Sequence, residues 1–164
     1  MKKAYFAGGC FWCIQPVFDA LDGVEATLCG YCGGDEADAS YEKVKAQETL
    51  HRETMEIGYD PEKISYARLL EVFLANVDPF DGGGQFIDRG RSYTLAVYCA
   101  DAAERAEAEK ALAALGAETG REPCVSLETL GAFYPAEEYH QKYYEKNPEA
   151  FAGEMEESGR KRRK

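Results

Sequence analysis

The sequence predicts an α+β domain: a mixed central sheet with helices packed on it, a ferredoxin-like two-layer core and an irregular C-terminal segment. The first observation is the order of elements, which is strand, helix, two strands, helix, strand, helix, strand, helix. Strands that follow one another directly, mixed with helices, are typical of α+β sheets. The second is the length of 164 residues, which suits one domain. We expect that domain over residues 1–151, followed by a polar, basic tail over 152–164 that is disordered.

Five short runs have the composition or the alternation of β-strands. The run over 52–59 is the clearest, because its apolar residues recur at every second position. In the run over 92–100, the same alternation places Tyr93 on one face with apolar residues. The predicted strands cover residues 3–7, 24–30, 52–59, 92–100 and 123–130.

Helical spacing and cap residues predict four helices. Ser65 is placed as an N-cap, and Asp101 with Glu104 three positions later has the spacing of a capping box. Pro135 suits the first position of a helix that a second proline then ends. The glycine-rich stretch over 78–91 predicts a functional loop. The predicted helices cover residues 11–21, 65–75, 101–115 and 136–146, with one further helical turn at 41–44.

The charge balance argues against two classes of partner. The formal net charge is −11, although the last five residues are all basic. Such an acidic body repels nucleic acid and anionic lipid, so we expect neither as a partner. No apolar run is long enough to span a membrane, and the N-terminal run is too short for a signal peptide, so we expect a cytoplasmic protein. Its six cysteines are then expected to be thiols, some of them catalytic or metal-binding.

The stretch AGGCFWC over residues 7–13 joins the first predicted strand to the first predicted helix. Cys10 therefore lies at a helix start, where unpaired N–H groups and the helix dipole favour a thiolate. The two glycines allow a ligand or another backbone to approach the sulfur. We expect Cys10 to be a reactive cysteine.

The cysteine spacing also fits two other functions. One CxxC motif begins at Cys10 and a second at Cys29, with fifteen residues between the motifs, which is the spacing of a four-thiolate zinc site. This zinc-binding module would use Cys10, Cys13, Cys29 and Cys32. The intervening residues carry a helix and a strand with enough apolar side chains for the main core, which argues against zinc. The second alternative is a thioredoxin-like dithiol oxidoreductase. The predicted strand order does not suit that fold, and this function would give Glu53 no role.

Glu53 has an unusual position for a carboxylate. It lies on the face of the predicted strand that carries Met55, Ile57 and Tyr59. Solvated carboxylates are rarely placed among apolar residues, so this pattern predicts burial or a functional site.

Several separate motifs resemble one family, in the same order along the chain. The sequence GGCFW over 8–12 closely resembles the signature of type A peptide methionine sulfoxide reductases. The likeness covers about residues 4–150. The further motifs are GYCGG at 30–34, SYE at 40–42, HRE at 51–53, YDP at 59–61, DP at 78–79, Gln85, DRG at 88–90, Tyr93 and FYPAEEYHQ at 133–141.

The resemblance implies an oxidoreductase that repairs oxidative damage by reducing methionine-S-sulfoxide, free or in proteins, to methionine. It implies that Cys10 attacks the sulfoxide sulfur and that Glu53 protonates the departing oxygen, a task suited to a carboxyl group kept neutral by apolar surroundings. Tyr41 and Tyr93 would donate hydrogen bonds to that oxygen.

The same resemblance implies the residues that bind the substrate. Phe11 and Trp12 would hold the S-methyl group, because an aromatic wall suits a methyl–sulfur group. Asp88 would help to shape the site. No cofactor and no metal ion are implied.

The resemblance also implies a second thiol and a reductant. The product left on Cys10 is a sulfenic acid, which condenses with another thiol to a redox-active disulfide. Many members of the family carry that thiol in a C-terminal tail, but no cysteine follows Cys124 in this chain. Cys13 is therefore our first choice and Cys32 our second, with an external thiol as a third possibility. Thioredoxin or another dithiol reductant would then reduce the disulfide. The remaining cysteines expected in the core are Cys29, Cys99 and Cys124.

Overall fold

The computed structural model describes residues 1–158 and 160 of the chain. The strands are β1 (Lys2–Gly8), β2 (Val24–Cys32), β3 (Arg52–Tyr59), β4 (Gly84–Gln85), β5 (Asp88–Arg89), β6 (Leu95–Cys99), β7 (Val125–Thr129) and β8 (Phe133–Pro135). The α-helices are α1 (Phe11–Asp19), α2 (Tyr41–Lys45), α3 (Tyr66–Ala75), α4 (Ala102–Thr119), α5 (Tyr143–Lys146) and α6 (Pro148–Ser158). Within this part of the chain, none of the helices has both the length and the apolar character needed to cross a membrane.

Six of the strands form one mixed sheet with the order β7-β6-β1-β3-β2-β8. The neighbours β6, β1, β3 and β2 are antiparallel, and with α1 and α3 they form a β-α-β-β-α-β ferredoxin-like core. Strand β7 extends one edge in parallel with β6, and β8 extends the other edge antiparallel to β2. The α+β fold class predicted from the order of elements is confirmed.

The main core lies between the sheet and the helices. Ile57 and Tyr59 of β3 are 0% and 2% exposed, as the alternation of the strand predicts. The ring of Phe6 in β1 lies 6.0 Å from that of Phe18 in α1 and 5.0 Å from that of Phe73 in α3. This packing fixes the end of β1 and the beginning of α1 relative to β3.

Two predicted helix starts have the expected caps. The Ser65 side chain accepts a hydrogen bond from the backbone N–H of Arg68, and the Asp101 side chain accepts one from the N–H of Glu104. These bonds satisfy N–H groups that have no partner within the helix. The helix that Asp101 caps is longer than predicted and ends at Thr119.

The helix predicted over 136–146 is wrong. The segment after β8 forms a 3₁₀ turn at Glu138–His140 and then the short helix α5. Between them, the side-chain amide of Gln141 accepts from the N–H of Cys29 at 2.9 Å and donates to the carbonyl of Cys29 at 3.0 Å. Lys142 follows with a positive φ of 54°. These contacts with β2 interrupt the helix, and they could not be inferred from local sequence.

The strand predicted over 92–100 begins later than expected. Residues Arg91–Tyr93 form a 3₁₀ turn, so Tyr93 precedes β6 and does not lie on the face of a strand. The turn follows Gly90, whose φ is 118°, a backbone conformation that favours glycine.

The tail predicted as disordered over 152–164 also requires correction. Residues 152–158 belong to helix α6, which begins at Pro148 and therefore crosses the predicted domain boundary at 151. Proline is favoured at the first position of a helix, because that position needs no N–H donor. Residues 159 and 161–164 lie outside the described part of the chain.

Candidate active site

Cys10 lies at the junction of β1 and α1, where it is the N-cap residue of the helix. Gly9 before it has a φ of 84°, and a Cβ atom there would lie 2.8 Å from the Cβ of Gln85. Position 9 therefore requires glycine, for its backbone conformation and for the close approach of Gln85. Cys10 itself is half-buried, so that its sulfur remains accessible from the cavity described below.

The thiols of Cys10 and Cys13 share a hydrogen bond. That bond and, to a smaller extent, burial raise the pKa of Cys10 well above its usual value. The bond from Cys10 lowers the pKa of Cys13, and the nearby Arg160 guanidinium lowers it further. Within this pair, the electrostatic surroundings therefore favour ionisation of Cys13 over that of Cys10, whereas the helix start alone predicts ionisation of Cys10.

Glu53 is buried, with 1% of its surface exposed. One of its carboxyl oxygens, Oε1, accepts a hydrogen bond of 3.1 Å from the backbone N–H of Phe11, next to Cys10. Burial raises the pKa of Glu53 to about 8, although the bond from Phe11 opposes this shift. Asp88 and Cys13 raise it further. The structure thus places a protonated carboxyl group beside the cysteine pair at neutral pH.

Tyr41 and Tyr93 approach the same site from different elements. Tyr41 begins α2, and Tyr93 ends the 3₁₀ turn before β6 and hydrogen-bonds Glu53. Burial, and then the charge of Glu53, raise the pKa of both hydroxyls. Both hydroxyls keep their protons at physiological pH and are available as hydrogen-bond donors.

Trp12 is held on both its edge and its face. Its indole Nε1–H donates a 2.9 Å hydrogen bond to Nδ1 of His140, and its ring stacks on Tyr143 at 3.9 Å and 9°. Burial lowers the pKa of His140 to about 4, so the imidazole is neutral and accepts this bond. Phe11 is 2% exposed, and its ring lies 5.1 Å from that of His140. Trp12 therefore forms a rigid wall with His140 and Phe11 packed around it.

A cavity of about 380 Å³ opens beside Cys10. Six residues predicted for the site line it, namely Cys10, Trp12, Cys13, Tyr41, Asp88 and Tyr93. Two other predicted residues, Phe11 and Glu53, are buried and do not line it. A larger groove of about 600 Å³ lies between α4 and β7, but neither a cysteine nor a buried carboxyl group lines it.

Sequence reasoning missed the residues that close the cavity from the C-terminal side. They are Glu154, Glu157 and Ser158 of α6, together with Lys45 and Ile87. The spacing of Phe151 and Met155, four residues apart after a proline, was the available signal for this helix.

The other cysteines lie away from the cavity. Cys29 is buried, with its Sγ 3.3 Å from Oε1 of Gln15. Cys32 packs with Ala7 in a separate cluster on the opposite face of the sheet, so the second choice of resolving thiol is not brought to the site. Cys99 is buried as expected, but Cys124 is exposed and precedes β7, which corrects its predicted place in the core.

The zinc alternative is wrong because its four cysteines do not converge. Cys10 and Cys13 pair with each other, whereas Cys29 and Cys32 point into different clusters. Over residues 1–158 and 160, no group of three or more histidine, cysteine or acidic side chains is arranged to hold a metal ion.

Comparison with known proteins identifies the family of this chain. The model of the peptide methionine sulfoxide reductase family matches residues 2–164. The chain belongs to this family. The reductase MsrA of Streptococcus agalactiae is 45% identical over 155 residues, which are 93% of this chain and 91% of that protein. This match confirms the resemblance that the GGCFW motif and the later motifs indicated. It also excludes the thioredoxin-like alternative.

Solved structures of peptide methionine sulfoxide reductases share the fold. Mxr1 from Saccharomyces cerevisiae in reduced form has a TM-score of 0.86 and 29% identity, over 90% of this chain and 86% of its own. Mxr1 has also been crystallised in complex with Trx2. Methionine sulfoxide reductase A of Corynebacterium diphtheriae has a TM-score of 0.80 and 28% identity, over 90% and 75% of the two chains. The chain is thus an oxidoreductase that reduces methionine sulfoxide.

Proposed function

We propose that Cys10 attacks the sulfur of methionine-S-sulfoxide while Glu53 protonates the sulfoxide oxygen. The observation that carries this assignment is a buried, protonated carboxyl group beside a half-buried cysteine at a cavity. A sulfoxide oxygen leaves poorly unless it is protonated, and an acid whose pKa lies near the working pH donates efficiently. The preference for the S epimer comes from the resemblance to type A enzymes.

The proposed first step transfers one oxygen atom. Attack by Cys10 forms a transient S–S bond to the substrate sulfur as the protonated S–O bond breaks, and the oxygen leaves as water. This water attacks the Cys10 sulfur, the S–S bond breaks, and Cys10 becomes a sulfenic acid as methionine is released. Methionine sulfoxide is reduced by two electrons, and Cys10 is oxidised by two. Glu53 and the Cys10 thiol each supply one proton to the departing oxygen, and Glu53 recovers its proton when the sulfenic acid forms, so the reaction needs no cofactor.

The remaining site residues bind the oxygen and the methyl group. Tyr41 and Tyr93 donate hydrogen bonds to the sulfoxide oxygen, on which negative charge develops. Trp12 contacts the S-methyl group, and Phe11 supports this wall through the ring of His140. Asp88 shapes the cavity and, as a charge near Glu53, helps to keep that acid protonated.

We propose Cys13 as the resolving thiol. It already shares a hydrogen bond with Cys10, and that bond lowers its pKa, so a larger fraction of Cys13 is the reactive thiolate. The resulting disulfide is the substrate for thioredoxin or another dithiol reductant. The complex of the relative Mxr1 with Trx2 supports thioredoxin.

Peptide mapping tests the assignment of Cys13. One equivalent of methionine-S-sulfoxide, added without reductant, should yield a Cys10–Cys13 disulfide, because these two thiols are already in contact. Cys13→Ser should accumulate the Cys10 sulfenic acid instead, whereas Cys32→Ser should still form the disulfide. A Cys10–Cys32 link would show that the two faces of the sheet exchange thiols and would contradict the proposal.

The pH dependence of kcat/KM tests the role of Glu53. Because burial raises the pKa of Glu53 to about 8, the acid is present below that pH and is lost as the pH rises through it. We therefore expect an alkaline limb in the profile for sulfoxide reduction with a midpoint near that value. Glu53→Gln, which cannot lose a proton, should remove this limb. A limb that persists in Glu53→Gln would assign it to another group.

We also propose that the chain forms one catalytic domain and acts in the cytoplasm. All six cysteines are free thiols, as expected in a reducing compartment. The net negative charge argues against nucleic acid and anionic lipid as partners. The proposed partners are methionine sulfoxide and a dithiol reductant.

A further inference from the structure

Arg160 lies against the backbone that carries Cys10. The residue follows α6 and is 6% exposed. Its Nη2 donates to the carbonyl of Gly8 at 3.4 Å, and its guanidinium carbon lies 4.7 Å from the centre of the Phe86 ring. A Cβ atom on Gly9 would lie 3.1 Å from Nη2. The C-terminal helix thus delivers a buried cation to the loop at the start of α1.

One side of this guanidinium has no partner. Nη1 of Arg160 is buried and has no hydrogen-bond partner among the described residues. A buried, charged N–H group without an acceptor is costly, so the site offers this donor to an anion.

The charged groups around Cys13 are mostly acidic. The groups that act on the Cys13 thiol are Cys10, Glu53, Asp88, Glu154 and Arg160. The three carboxyl groups all oppose a negative charge on Cys13 when they are ionised. Among these neighbours, Arg160 alone is a cation. Lys45 also lines the cavity, but its ammonium group lies over the ring of Tyr41 at 5.5 Å.

We propose that Arg160 is a positioning residue that holds Cys13 as a thiolate for its attack on the Cys10 sulfenic acid. The inference rests on the proposed resolving role of Cys13. In this step an electron pair of the Cys13 sulfur forms the S–S bond, and the S–O bond of the sulfenic acid breaks. The oxygen leaves as water, with the proton that Cys13 gave up on ionising. Both sulfurs reach the disulfide level, so no external oxidant is needed.

The proposal gives a function to a C-terminal segment that contains no cysteine. No cysteine follows Cys124, so this segment cannot resolve the sulfenic acid itself. The segment supplies the positive charge of Arg160 instead, and the resolving thiol is Cys13 of α1, the helix that begins after Cys10. None of the described residues of α6 is buried, whereas Arg160, which follows the helix, is buried.

Three full-length variants test the proposal. Arg160→Gln removes the charge, Arg160→Lys keeps it, and Glu156→Gln is a matched control that neutralises an exposed residue of α6 outside the cavity. Each variant is mixed with one equivalent of methionine-S-sulfoxide without reductant. Methionine release and the formation of the Cys10–Cys13 disulfide are followed separately, by chromatography and by mass spectrometry after acid quench. Fluorescence of Trp12, the single tryptophan of the chain, checks that the site is folded.

For Arg160→Gln we expect disulfide formation to be about tenfold slower at pH 7, with its pH profile displaced upward by about one unit. Methionine release should be unchanged. Arg160→Lys should restore the profile, and Glu156→Gln should behave as the unsubstituted protein. An unchanged rate and pH profile in Arg160→Gln would overturn the inference, and so would an equal loss in both steps. If the unsubstituted chain releases methionine but forms no Cys10–Cys13 disulfide, the role of Cys13 fails first, and this inference fails with it.

Discussion

Replacing Cys10 with serine should reduce turnover of methionine sulfoxide to background. A serine hydroxyl is a far weaker nucleophile than a thiol at neutral pH, and it cannot accept the oxygen to form a sulfenic acid. The cavity should remain intact, because Oγ is slightly smaller than Sγ and Cys10 makes no side-chain cap to α1. The measurement is steady-state reduction of methionine-S-sulfoxide with dithiothreitol.

Cys124→Ser is the matched control for this variant. It makes the same change at an exposed cysteine whose Sγ lies 3.5 Å from the carbonyl of Phe80 and not in the cavity. We expect its activity to equal that of the unsubstituted chain. Retained turnover in Cys10→Ser would assign the nucleophile to another group.

Glu53→Gln should lower kcat/KM by about 10²-fold or more, which is the usual contribution of a general acid. Glutamine keeps the size of the side chain and an oxygen that can accept from the N–H of Phe11. It cannot transfer a proton to the sulfoxide oxygen, so the oxygen must leave with a greater negative charge. The loss should appear in the rate of methionine release in a single turnover.

Glu56→Gln provides the comparison on the same strand. Glu56 lies on the other side of β3, where it accepts a hydrogen bond from Tyr5 and pairs with Lys3. Its replacement should leave kcat/KM within a small factor of the original, since partly exposed ion pairs of this kind contribute little. Equal losses in Glu53→Gln and Glu56→Gln would indicate a general disturbance of β3 rather than the loss of an acid.

Local patterns predicted much of the fold and the centre of the site. Alternation along β3 placed Glu53 among buried residues, and the caps at Ser65 and Asp101 mark the true helix starts. The glycines before Cys10 predicted the strand-to-helix junction. These patterns predict strands and helix starts correctly because they depend only on residues a few positions apart in the sequence.

Contacts between distant segments account for what was missed. Gln141 interrupts the predicted helix by bonding to Cys29, which lies 112 residues away in the chain. The raised pKa of Cys10 depends first on the Cys13 thiol and on burial, and then on carboxyl groups from two other strands. The burial of Arg160 could not be foreseen from a basic tail, because it requires α6 to fold back over the start of α1.

A single turnover of the Cys13→Ser variant tests the central claim most directly. One equivalent of methionine-S-sulfoxide is added without reductant, methionine is quantified, and the protein is treated with dimedone before peptide mapping. Because the thiol proposed to resolve the sulfenic acid is absent, we predict one methionine released per chain and a dimedone adduct on Cys10. Methionine-R-sulfoxide should give neither. Failure to release methionine, or an adduct on any other cysteine, would contradict the assignment of Cys10 as the group that takes the oxygen.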